Sequence, residues 1–178
     1  MKSLKNQDRF LALMEEHKRI LYKVANAYCN NQDDRQDLIQ EMVIQLWRSF
    51  DRFDSRSKFS TWMYRVAMNV AISYARSQTR RIRDVVPVDE AGLEIPHTDP
   101  WLEDEGDDLR LLHQMIQQLD ELNRALIILY LDGYSHAEIG EIIGLTATNV
   151  STRINRIKQR WQNDSDTAQS ALDQEKTK

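Results

Sequence analysis

Apolar residues recur at three- and four-residue spacing along most of the chain, and polar clusters close each run. Phe10, Leu13, Met14, His17, Ile20, Leu21, Val24 and Tyr28 mark one face of an amphipathic helix. Asn30 to Asp33 form a polar turn, and a second helix then carries Leu38, Ile39, Met42, Val43, Leu46, Trp47 and Phe50. Asp33, Asp34 and Asp37 lie near its start, where negative charge complements the helix dipole. The charged stretch Asp51 to Lys58 breaks the period and leaves Phe53 exposed in the pattern. A third helix starts near Ser60, carries Trp62, Met63, Val66, Ala67, Val70, Ala71 and Tyr74, and ends in Arg76, Arg80, Arg81 and Arg83. The spacing of Trp47 and Trp62 favours the core for both, with stacking on a nucleic-acid strand the other reading for Trp62. Farther on, Leu109, Leu112, Met115, Ile116 and Leu119 form one helix face, and Leu122 to Leu131 form another helix that Gly133 can end in a left-handed conformation. No segment sustains period-two alternation, so the expected fold is all-α.

The segment after Gly133 has finer punctuation. Ser135-His136-Ala137-Glu138 is a capping-box pattern, a hydroxyl N-cap with Glu three residues on. Ile139, Ile142 and Ile143 give a short helix its apolar face, Gly144 supplies a turn, and Thr146 can cap the next helix. Val150, Ile154 and Ile157 face inward there, while Thr148, Asn149, Ser151, Thr152, Arg153, Asn155, Arg156, Lys158 and Arg160 face outward. A short bracing helix, a glycine turn and a polar-basic second helix make a helix-turn-helix, whose second helix enters the DNA major groove. Hydroxyl and amide side chains there can bond base edges, and Arg or Lys can pair with guanine or phosphate. An ordinary helical hairpin with a solvated polar face is the plainer alternative for this segment taken alone.

Charge changes the picture once it is partitioned. The 178 residues carry 24 Lys and Arg against 28 Asp and Glu, a net of −4 that taken whole argues against a nucleic-acid partner. Residues 1–83, however, hold 16 basic and 9 acidic side chains, a net of +7, and neither Gly nor Pro. Residues 84–108 hold ten acids, no Lys or Arg, and all three prolines. The expected organisation is a basic N-terminal domain over 8–83, an acidic flexible linker over 84–108, a second domain over 109–161 and a polar tail over 162–178. No run of 18 apolar residues can span a membrane, and the N-terminus lacks a signal-peptide apolar stretch, so the expected location is cytoplasmic. The one cysteine, Cys29, excludes an internal disulfide and a Cys-rich zinc site. No Gly-rich phosphate loop or metal-ligand motif is present, and His17, His97, His113 and His136 are dispersed. The expectation is a binding protein with no catalytic residues, cofactor, metal or small-molecule substrate.

Two segments together carry a resemblance. Asp37-Leu38-Ile39-Gln40-Glu41 through Leu46-Trp47-Arg48, then Phe59-Ser60-Thr61-Trp62-Met63-Tyr64-Arg65-Val66-Ala67-Met68-Asn69, resemble the promoter-melting domain of bacterial sigma factors. Leu119 to Trp161 is similar to the C-terminal domain of the same proteins. The order of the two, and the 25-residue linker with no intervening domain, resemble the extracytoplasmic-function (ECF) group; the likeness covers roughly residues 10–161. It implies a factor that binds core RNA polymerase, reads the duplex −35 promoter element with its C-terminal domain and captures the unpaired −10 strand with its N-terminal domain.

The resemblance also implies roles for residues. Asp37, Gln40, Glu41, Gln45 and Arg48 are expected to dock on the polymerase clamp. The loop from Phe53 to Phe59, with Arg56 and Lys58, is expected to hold a flipped-out base, a task that suits aromatic faces and cations. Asn69 would touch promoter DNA near the melting point, and Arg76, Arg80, Arg81 and Arg83 would contact phosphates. Thr148, Asn149, Ser151, Thr152, Arg153, Asn155, Arg156 and Lys158 would read the −35 element. Ser151 stands where relatives often have Arg, and Asn155 where bulkier residues are frequent, which leaves the preferred −35 sequence open. The acidic linker, anchored by Trp101-Leu102, would run through a basic polymerase channel or act as a solvated tether. An anti-sigma factor, often membrane-anchored in this family, is the expected inhibitor. A stand-alone helix-turn-helix regulator with an N-terminal interaction or sensing domain is the alternative, and it would bind DNA tightly without polymerase.

Overall fold

The computed structural model describes the backbone of residues 2–85 and 107–175, and the side chains of residues 6–78 and 108–165. Every regular element among the described residues is helical. They are α1 (Lys2–His17), α2 (Arg19–Tyr28), α3 (Gln32–Ser49), a single 3-10 turn (Phe50–Arg52), α4 (Phe59–Val85), α5 (Asp107–Gln117), α6 (Glu121–Leu131), α7 (His136–Ile143) and α8 (Ala147–Glu175). Trp101-Leu102 and nearly all of the acidic stretch lie outside the described residues. The chain divides into two compact units, residues 1–125 and 126–178.

In the first unit α2, α3 and α4 pack on one another. Val24, Leu38, Met42, Leu46, Met63, Ala67, Met68 and Ala71 are fully buried between them. A buried Leu or Met side chain contributes about 1.5–3 kcal/mol on leaving water, more than an exposed ion pair, so apolar packing holds this layer together. The periodicity from Phe10 to Tyr28 reads as one helix, yet the chain breaks at Lys18 into α1 and α2. Both helices keep the same phase, and the tighter Leu21 N–H to Lys18 carbonyl bond (3.0 Å) marks the break. Asn31 caps α3 by accepting from the Asp34 amide at 2.8 Å.

The polar turn before α3 is built around Arg35, which is buried despite its charge. It donates to the carbonyls of Asn31 (3.2 Å) and Asn30 (3.3 Å) and to the side chain of Asn26 (3.4 Å). The same unit includes α5 and the first turn of α6. The Tyr28 hydroxyl donates to the Glu121 carbonyl at 2.5 Å, and Arg124 donates to the Ala27 carbonyl at 3.1 Å. Arg124 also lies 5.1 Å above the Tyr28 ring. Burial lowers the Arg124 pKa and raises that of Tyr28.

In the second unit α7 packs on α8 around Ile139, Ile142, Val150, Ile154 and Ile157. α6 ends at Gly133, whose φ of +81° suits glycine, and the Tyr134 amide bonds back to the Leu129 carbonyl at 3.2 Å.

Candidate nucleic-acid interface

The loop ahead of α4 gathers an aromatic cluster. Phe53 is half-buried, with ring centroids 5.5 Å from Phe59, 5.2 Å from Trp62 and 6.2 Å from Phe50. Phe59 was expected to face DNA, but it is only 7% exposed. It supports Phe53 and Trp62 from beneath, since it opens α4 with its ring turned into the unit. Trp62 is half-buried rather than fully core, and Trp47 departs further from expectation at 44% exposure. Its indole meets the Phe10 ring of α1 edge-on at 5.1 Å, and the remaining surface is shared between the unit and solvent. Lys58 and Arg56 are exposed. Arg56 pairs with Asp54 at 2.6 Å, and its amide donates to the same carboxylate at 3.1 Å, so the loop folds on itself.

α3 and α4 flank an open groove of about 730 Å³. Asp37, Glu41 and Gln45 line its α3 side, and Asn69, Ser73 and Tyr74 its α4 side. Gln45 donates to Glu41 at 2.7 Å, one turn away on the same face. The five α3 positions expected to dock on polymerase therefore separate. Asp37, Glu41 and Gln45 share the groove with Asn69, whereas Gln40 and Arg48 are exposed outside its lining. Burial pushes the Tyr74 hydroxyl up to about 12, with Gln78 donating to it at 2.8 Å. Arg76 is exposed, while Arg80 and Arg81 sit on the last turns of α4 with side chains outside the described residues.

The second unit forms its turn as the capping pattern predicts. Ser135 accepts from the Glu138 amide at 3.3 Å, and Glu138 accepts from the Ser135 amide at 2.8 Å. Gly144 has φ +81°, and the Gly144 and Leu145 amides both bond to the Gly140 carbonyl, at 2.8 and 2.9 Å. The Asn149 amide bonds to the Thr146 hydroxyl at 3.2 Å, which starts α8. Sequence reasoning missed Gly140. A Cβ there would stand 2.5 Å from the Leu145 carbonyl oxygen, so the turn needs glycine in the middle of α7.

Thr148, Asn149, Thr152, Asn155, Arg156 and Lys158 are exposed on α8, and Ser151 and Arg153 are half-buried. Arg153 donates to Asn149 at 2.9 Å, which couples two candidate base readers one turn apart. The Thr152 hydroxyl donates to the Thr148 carbonyl at 2.9 Å. Lys158 is drawn aside: its ammonium donates to the Tyr130 hydroxyl at 2.7 Å and lies 4.5 Å from the ring centroid. His136 stacks on the same ring at 6.1 Å. Neither Tyr130 nor His136 stands out in the hydrophobic pattern, because the contact joins residues far apart in the chain. Among the described residues no cluster of His, Cys, Asp and Glu could hold a metal ion, and no helix is long and apolar enough to cross a membrane.

A capped helix-turn-helix whose second helix offers amides, hydroxyls and cations defines a DNA-binding module. Family models agree with that class and cover most of the chain. Sigma-70 region 2 matches residues 13–81, and Sigma-70 region 4 matches residues 109–160. The chain is 32% identical over 162 residues to the ECF RNA polymerase sigma factor SigW of Bacillus subtilis, covering 85% of this chain and 86% of that one. It is 32% identical over 142 residues to an ECF RNA polymerase sigma-E factor of Haemophilus influenzae, covering 75% of each. The sigma factor RpoE of Bartonella quintana, solved with the anti-sigma factor NepR, shares the fold at TM-score 0.64 and 21% identity, with 92% of this chain and 96% of that chain covered. The chain belongs to the sigma-70 family of RNA polymerase sigma factors, in its ECF group, and directs RNA polymerase to promoters.

Proposed function

We propose that α8 reads the duplex −35 element while the first unit serves both polymerase and the melted −10 strand. The observation that carries this division is the contrast between two surfaces. α8 presents a straight row of Thr148, Asn149, Thr152 and Arg156, a shape for a major groove, whereas the loop before α4 presents Phe53 with Arg56 and Lys58, a shape for an unstacked base. Arg153 acts with Asn149 as one bidentate reader. Ser151 and Asn155 tune the preference, and Lys158, held by Tyr130, steers toward phosphate rather than toward a base edge. Asn69 in the groove and Arg76, Arg80 and Arg81 along α4 extend the path of the strand.

On this reading Asp37, Glu41 and Gln45, together with Gln40 and Arg48, dock on the polymerase. Domain limits of 8–83 and 109–161, joined by the acidic linker of 84–108 and followed by the tail of 162–178, accompany it. The protein acts in the cytoplasm beside the polymerase, by binding alone and without covalent catalysis. A relative in fold was solved with an anti-sigma factor, which supports the reading that a protein of that kind also restrains this chain.

The test is transcription by purified bacterial core polymerase on genomic fragments, with and without the chain. New start sites that require the chain are expected. A chain that binds core polymerase no better than an unrelated helical protein, and starts no transcript, would overturn the proposal.

A further inference from the structure

Arg9 lies on α1, outside every segment that motif reasoning singles out, yet it reaches the loop ahead of α4. Its guanidinium donates to the Ser55 hydroxyl at 3.0 Å. It also lies 5.8 Å from the Phe50 ring centroid and 5.9 Å from that of Phe53, within the range of cation–π attraction. Ser55 has φ +63°, the one described non-glycine residue in the left-handed region, a conformation that costs free energy and persists only where neighbours hold it. One turn before Arg9, Asn6 donates to Asp51 at 3.1 Å, on the 3-10 turn that leads into the loop. Next to Arg9, Phe10 is buried and meets Trp47 and Phe50 edge-on, each at 5.1 Å, which fixes α1 in place.

We infer that Arg9 is a positioning residue for promoter melting: it holds the Phe53–Lys58 loop in the shape that receives the unpaired base. Two features of the geometry carry this. The guanidinium bridges the loop, with one nitrogen on the strained Ser55 and its central carbon 5.9 Å from the Phe53 ring centroid, so it couples the backbone bend to the aromatic face. The site is also exposed, so Arg9 adds little to the stability of the unit, and its effect falls on the loop. The inference rests on the proposed role of that loop in base capture.

The test uses the full chain assembled with core polymerase on forked promoter fragments. Each fragment carries one of the four bases at a given −10 position of the non-template strand, with a fluorescent base beside it to report opening. Arg9→Met keeps the aliphatic stem and removes the charge and the donors. It is expected to lower opening about tenfold, the scale of a lost charge-assisted hydrogen bond, and to flatten the discrimination among the four bases. Thermal unfolding, binding to core polymerase and binding to a duplex −35 fragment stay as in the unsubstituted chain. Arg9→Lys restores part of the opening, since it returns the charge without the planar fork. Arg9→Met combined with Ser55→Ala is no worse than the more severe of the two alone.

Equal losses in polymerase binding, duplex binding and opening, with a lowered unfolding midpoint, would overturn the inference by making Arg9 a structural residue only. Additive effects of Arg9→Met and Ser55→Ala would also overturn it. Phe53→Ser and Arg56→Ala separate the inference from its premise. If they change base discrimination and Arg9→Met does not, the loop captures the base and the role of Arg9 is wrong. If none of the three changes discrimination, the loop reading fails and the inference falls with it.

Discussion

The helix-turn-helix and the loop ahead of α4 both present polar and cationic groups to solvent, but they differ in how far along the chain the contacts that hold them reach. The turn at Gly144 is fixed locally: Ser135 with Glu138, Gly140 with Leu145, and Thr146 with Asn149 are at most five residues apart. The loop has local contacts too, Arg56 on Asp54 and Phe53 among neighbouring rings, but it is also tied from a distance, by Asn6 on Asp51 and Arg9 on Ser55, contacts that span 45 and 46 residues. A locally specified surface is stiff and suits a rigid duplex. A surface held by a few long-range contacts at solvent has a lower cost of opening, which suits a partner that must be caught in a transient, unpaired state.

Gly140→Val breaks the local side of this comparison most severely. The added side chain meets the Leu145 carbonyl where even a Cβ stands at 2.5 Å, and something in the turn has to shift. A loss of about 3 kcal/mol or more in the stability of the second unit is expected. Calorimetry and a duplex-binding assay check it, with −35 binding abolished and core-polymerase binding kept. Ser135→Ala removes one cap and costs about 1 kcal/mol by the same calorimetric measure.

Smaller effects sharpen the two surfaces. Arg156→Ala removes an exposed cation from α8 and is expected to weaken duplex binding evenly across sequences, lowering the salt-dependence slope by about 1. Arg153→Ala breaks the bond to Asn149 and is expected to relax preference at a single base pair instead, by about 1–3 kcal/mol. A titration series of affinity against salt and sequence distinguishes the two. The smallest effect is alkaline. Burial pushes the Cys29 thiol up to about 11 from its ordinary 9.0, so below pH 9 the folded and unfolded chains hold the same proton. Between pH 9 and 11 the unfolded chain releases it first, and the stability of the first unit falls as pH rises. Tyr74, raised to about 12, continues the decline. Cys29→Ala should delay its onset, as followed by denaturant midpoints across that range.

The same division explains what could be read from the residues. The capping box, the turn at Gly144 and the inward Val150, Ile154 and Ile157 depend on neighbours a few positions away, and the pattern revealed them. Gly140 escaped because its need for glycine comes from a carbonyl beyond the turn, not from its own backbone angles. The break at Lys18 escaped because α1 and α2 keep one periodicity. Trp47 and Phe59 differ from expectation for a tertiary reason: the indole meets Phe10 of α1 and keeps 44% exposure, while Phe59 is enclosed by the rings of Phe50, Phe53 and Trp62. Spacing also placed Asp37 and Asn69 on separate helices, and the resemblance gave them separate tasks. That they line one groove depends on how α3 and α4 pack.

The most direct test of the division of labour is permanganate reactivity of the non-template strand at a promoter of this factor. With core polymerase and the full chain together, thymines of the −10 region are expected to become reactive, and Phe53→Ser should suppress that reactivity while the −35 footprint persists. Reactivity without polymerase, or a Phe53→Ser chain that opens the −10 region as well as the original, would contradict the account.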